Sequence, residues 1–236
     1  MQFLSIFAGL LAASGVYAQT ADTNLTAVHR NLFVTFPAKP TTVTNTTEFL
    51  QSAIPLVVAE PLTIQWYGVK FEDSTTFAIF DTSVSEEGRR AHLNGVVAGA
   101  LFANAPVLFT DAPVIHPGDI LASKVLSKPD NSSTTSGLSV GLAILFTAIP
   151  GQADATKKLL IDLFPLAKAE PLTLDWYAIE FPDTNSFAII GFFADENGRE
   201  ADLNGKVVAK LFAEADTLFT TPPNVIKTEV VAVTLK

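Results

Sequence analysis

The stretch Glu60-Pro61-Leu62-Thr63-Ile64-Gln65-Trp66-Tyr67 returns 110 positions later as Glu170-Pro171-Leu172-Thr173-Leu174-Asp175-Trp176-Tyr177. With that offset fixed, Phe77-Ala78-Ile79 falls on Phe187-Ala188-Ile189 and Gly88-Arg89 on Gly198-Arg199. Leu93-Asn94-Gly95 falls on Leu203-Asn204-Gly205, and Leu108-Phe109-Thr110 on Leu218-Phe219-Thr220. Roughly half the positions from Glu60 to Pro113 match their partners without a gap, the signature of an internal repeat.

Each copy parses from its residue pattern. Leu32 to Ala38 and Leu142 to Ala148 are short β-branched and aromatic runs, hence strands. Thr44 to Ile54 and Gln152 to Phe164 read as helices that Pro55 and Pro165 should end. Leu62 to Phe71 and Thr75 to Ser83 are strands joined by a tight turn at Glu72-Asp73-Ser74, repeated at Pro182-Asp183-Thr184-Asn185. Ser85 and Asp195, each followed by acidic residues, cap helices that bend at Asn-Gly and resume to Ala103 or Ala213. Final strands cover Asp119 to Leu126 and Lys227 to Leu235.

Strand–helix–strand–strand–helix–strand, given twice, is a ferredoxin-like α+β arrangement with both helices on one sheet face. The other face is left apolar. Covering about 800 Å² of it at about 25 cal/mol per Å² is worth on the order of 20 kcal/mol before ordering costs. The twin copy, tethered at high local concentration, is the expected cover, which makes a pseudo-dimeric barrel within one chain. The chain then divides into a signal peptide (1–18), a first unit (19–126), a linker (127–137) and a second unit (138–236).

Met1 to Ala18 is a short apolar run ending in Val16-Tyr17-Ala18, too short to span a bilayer and consistent with a cleaved export signal. Three acceptor triplets, at Asn24, Asn45 and Asn131, agree with a secreted, glycosylated product. The absence of cysteine rules out disulfides, thiol nucleophiles and thiolate metal sites. With 24 acidic and 15 basic residues the net charge is −9, which disfavours nucleic acid. No later segment reads as a membrane span.

The run Glu-Pro-x-Thr-x-x-aromatic, then Phe77-Ala-Ile-Phe-Asp81, then Glu86-Glu-Gly-Arg-Arg-Ala-His-Leu-Asn-Gly95 resembles the antibiotic biosynthesis monooxygenase (ABM) domain. More narrowly it resembles secreted fungal proteins carrying that domain, within the dimeric α+β barrel superfamily. The resemblance implies a cofactor-independent oxygenase acting on a phenolic or polyketide-like molecule, or a non-catalytic secreted relative that binds or displays on the same barrel. It implies no cofactor.

His92 stands where such proteins often carry histidine; it and Asp81 are the candidate catalytic groups, as proton acceptors from a phenol. Their counterparts are Asp202 and Gly191, so the halves differ at polar positions. Trp66 and Tyr67, like Trp176 and Tyr177, are adjacent on a strand and must point to opposite faces. The barrel-side members are candidates to stack on a planar ligand; packing as core is the alternative. Asn94 and Asn204 are further ligand-binding candidates, although a helix bend alone would select Asn-Gly. Arg89 and Arg199 read as exposed helical ion pairs. No residue set has metal-ligand spacing. The expected partners are a small aromatic or apolar ligand and the chain's own second half, with a higher oligomer left open.

Overall fold

The computed structural model describes residues 27–130, 132–182 and 184–236. The proposed signal segment and the triplets at Asn24 and Asn131 therefore lie outside the described residues, as does Asp183 of the second turn. Asn45 is exposed on the first turn of a helix.

The first half runs β1 (Arg30–Pro37), α1 (Val43–Val58), β2 (Gln65–Phe71), β3 (Thr76–Ser83), α2 (Glu86–Leu93), α3 (Val96–Leu108) and β4 (Val114–Val125). The second runs β5 (Val140–Thr147), α4 (Ala153–Ala169), β6 (Asp175–Phe181), β7 (Ser186–Phe193), α5 (Glu196–Leu203), α6 (Lys206–Ala213), α7 (Ala215–Leu218) and β8 (Asn224–Leu235).

All eight strands form one closed antiparallel barrel in the order β1-β3-β2-β8-β5-β7-β6-β4. Within each half the order is ferredoxin-like. The halves are also joined edge to edge: Gln65 of β2 pairs with Leu235 of β8, and Asp175 of β6 with Val125 of β4. The expected burial of one sheet face on the other is thus completed by backbone hydrogen bonds that leave no free sheet edge. Alternation around the ring sends β1, β2, β5 and β6 toward one end, so the pseudo-two-fold axis runs along the barrel.

The final strands are longer than expected, starting at Val114 and Asn224. Pro117-Gly118 lies inside β4 because Gly118 packs against Asn31; a β-carbon there would sit 2.2 Å from Asn31 Oδ1. The long helices also pass their prolines, reaching Val58 and Ala169. Each proline removes one N–H, yet the turn beyond it buries Val57 or Ala167 completely. Their ends are then capped by lysines. Lys236 Nζ donates to the carbonyls of Val57 and Glu60, and Lys124 Nζ to those of Ala167 and Glu170. α2 and α5 begin as expected, with Gly88 N–H donating to Ser85 Oγ and Gly198 N–H to Asp195 Oδ1.

Apolar residues form three clusters, one beneath the helices of each half and one inside the barrel. Among the described residues no single helix is long and apolar enough to cross a membrane.

Candidate functional site

Alternation along β3 sends Phe77, Ile79 and Asp81 beneath the helices and Ala78 and Phe80 into the barrel. Asp81 therefore meets His92 of α2, with Nε2 and Oδ2 3.4 Å apart. His92 Nδ1 contacts Glu60 Oε2, and Thr63 Oγ1 lies 3.3 Å from Nδ1 while donating to Glu60 Oε2 at 3.0 Å. The imidazole is thus held between two carboxylates. Burial pushes Asp81 up to about 6, against the opposing attraction of His92. Burial alone would lower His92, but the charge of Asp81 and the bond to Glu60 outweigh it and raise the imidazole. For Glu60 burial is again opposed by His92, and the carboxyl ends below its usual range. Among the described residues Asp81 Oδ2 has no hydrogen-bond partner. The space beside His92, walled by Leu32, Val34, Ile79, Val97 and Leu101, measures about 20 Å³, room for little more than a water.

The second half rebuilds this place differently. Glu170 and Thr173 remain, and Thr173 Oγ1 donates to Asp202 Oδ1 at 2.9 Å. No histidine is present, and burial with Glu170 nearby pushes Asp202 up to about 7. Gly191 stands where Asp81 stands in the first half, and the Phe193 ring fills the room. A β-carbon on Gly191 would come within 3.0 Å of Phe193 Cζ.

Tyr67 and Tyr177 point into the barrel, while Trp66 and Trp176 lie under the helices. All four are fully buried. Tyr67 stacks on Phe192 with ring centroids 4.0 Å apart. The Tyr67 hydroxyl donates to Asp175 Oδ2 at 2.8 Å, so at its 2.8 Å contact with Tyr177 it accepts. Asp175 Oδ1 also accepts from the N–H groups of Leu126 and Ser127, tying the inter-half segment over this end. Burial, with Asp175 beside them, raises both phenols well above their usual range. Asn94 and Asn204 are exposed, and their amides donate to Arg90 and Glu200 carbonyls in their own helices. None of these six residues borders the space beside His92 or the cleft at the opposite barrel end.

The arginines depart from the exposed reading. Arg199 is 3% exposed and donates to the Gly141 and Thr228 carbonyls while pairing with Glu72 of the first half at 2.6 Å. Arg89 reaches the Gly118 carbonyl in the same way.

The barrel end opposite Asp175 is open. There the ends of β1, β2, β5 and β6 and the starts of β4, β7 and β8 surround a cleft of about 560 Å³. Phe33, Phe71, Leu145 and Phe181 supply apolar wall; Thr35, His116, Thr147, Ser186 and Asn224 supply polar groups. His116 is at the rim, its ring edge-on to Phe181 at 6.0 Å, and partial burial lowers its pKa. Among the described residues no cluster of His, Asp or Glu can hold a metal ion.

No family model and no curated protein matches this chain. Solved structures do. A protein assigned as a monooxygenase from Fusobacterium nucleatum aligns over 90% of this chain and 96% of its own, with TM-score 0.76 and 12% identity. Another so assigned, from Lactobacillus acidophilus, aligns over 88% and 96%, with TM-score 0.72 and 10% identity. An anthrone oxidase-like protein covers 87% and 92%, with TM-score 0.59 and 11% identity. The fold of this chain, a closed α+β barrel, is shared with these structures. At these identities the likeness concerns the fold alone.

Sequence reasoning singled out His92 and Asp81, which the structure brings together, and missed Glu60, Thr63, Asp175 and His116. Glu60 and Thr63 had a signal, since both recur in the quoted stretch. His116 had none, because Ile226 replaces it.

Proposed function

We propose that this chain is an exported small-molecule-binding protein on the ABM-like barrel, with its ligand in the axial cleft. The observation that carries the reading is the contrast in room: about 560 Å³ at the open barrel end against about 20 Å³ beside His92. The larger falls within the range of small-molecule sites. Export is supported by the apolar segment ending at Ala18 and the acceptor triplets. Native mass spectrometry of secreted protein tests the reading: a bound small mass, released on unfolding, is expected. Protein with no bound mass, and no uptake from a panel of apolar compounds, overturns it.

The buried Asp81 Oδ2, without a hydrogen bond beside His92, favours a second reading. Here α2 and α3 would lift to admit a phenol, and His92 or Asp81 would take its proton. The resulting phenolate carbon reacts with dioxygen, giving a quinone and water. Oxygen uptake with hydroquinones that disappears in His92→Ala supports this catalysis; uptake absent from the unaltered protein removes it.

A further inference from the structure

We infer that the axial cleft takes one neutral, flat, largely apolar molecule in a single orientation, its hydrogen-bond acceptor toward His116. The inference rests on the binding reading and specifies its ligand. Among the described residues no Asp, Glu, Lys or Arg lines the cleft, so none of them would offset the desolvation of a charged ligand. Phe71 and Phe181 are partners under the 110-residue offset, placed by the pseudo-two-fold as a matched aromatic pair. Phe71 and Leu145 belong to the barrel core yet remain half-buried, so apolar area there is left for a ligand to cover.

Orientation follows from broken symmetry. A site on a true two-fold axis receives a ligand in two equal poses. Here His116 is matched by Ile226, Thr35 by Leu145, and Asn224 by Val114. The imidazole makes no hydrogen bond among the described residues and lies at the wall of the cleft. Its neutral form, favoured by partial burial, still carries one N–H to donate.

Three fluorophores of naphthalene size test this on the full exported chain. One is neutral with a carbonyl, 2-acetyl-6-dimethylaminonaphthalene. One is neutral without a carbonyl, N-phenyl-1-naphthylamine, and one carries a sulfonate, 8-anilino-1-naphthalenesulfonate. Both neutral probes should bind one per chain, at least about ten-fold tighter than the sulfonate. Leu145→Trp, which fills the cleft, should weaken both by about ten-fold or more. His116→Ala, a rim change, should weaken only the carbonyl probe, by about five-fold, and shift its emission to the blue. Equal binding of the sulfonate, indifference to Leu145→Trp, or equal effects of His116→Ala on both neutral probes would overturn the inference. The binding reading would survive those outcomes if native mass spectrometry shows a bound mass. Should Leu145→Trp fail to fold, the His116→Ala comparison decides alone.

Discussion

The two halves share a backbone plan and solve the same buried corner with different chemistry. In the first, Glu60, His92 and Asp81 form an ionic group beneath α2. In the second, Phe193 fills that room, glycine replaces the aspartate, and Asp202 meets Glu170 without a base. The second half shows that the scaffold needs neither an imidazole nor a strand carboxylate there. Buried ion pairs are weak sources of stability. The cluster in the first half is therefore the more informative of the two, being kept where an aromatic ring would serve the fold.

The largest effect is expected from imposing the second half's residue on the first. His92→Asp would place three carboxylates together with only the more distant Arg89 and Lys236 as counter-charges, costing about 3–5 kcal/mol at pH 7. Urea unfolding should show that loss shrinking at pH 5; a loss equal at both pH values would break the comparison. Next comes the reverse graft. Gly191→Asp alone should cost about 2–3 kcal/mol because Phe193 occupies its space. Adding Phe193→Ser and Asp202→His should recover most of it, and unfolding midpoints of the single and triple variants check this.

The pH dependence of the second half is smaller. Asp202 is raised from 3.8 to about 7, so the folded state holds its proton more tightly than the unfolded chain. Its contribution is fully present below about pH 4 and lost as pH rises through about 7. Asp202→Asn should therefore be about 1–3 kcal/mol more stable than the parent at pH 8, with no gain at pH 4. Denaturant titration at the two pH values measures it. The smallest contrast is between the paired phenols. Tyr67→Phe, which removes the donor to Asp175, should cost about 1–2 kcal/mol, and Tyr177→Phe less, since Asp175 keeps all its partners.

How far the residues alone reach is clear from this pair of halves. The repeat, the strand and helix order and the barrel followed from the 110-residue offset and from alternation, because periodicity depends on local geometry. Helix ends at Pro55 and Pro165 did not, because burial of Val57 and Ala167 and two distant lysines override a local rule. The Asp81–His92 meeting was within reach, but not that Glu60 completes it or that Phe193 replaces it. Those depend on which residue fills a volume, and pairwise alignment carries no volumes. The axial cleft was hidden for a related reason. Its wall is assembled from one to three residues of each of seven strands and two from the connections between them, and none forms a motif.

Edge-to-edge closure gives biosynthesis an order. Gln65 pairs with Thr82 of β3 on one side, but its partner on the other edge is Leu235 of β8, and Asp175 holds the segment that bridges the halves. During translation β2 therefore waits, its edge unpaired, until β8 has been made. A nascent chain stalled before β8 would expose that edge, and holding such an intermediate soluble would fall to chaperones rather than to the protein itself.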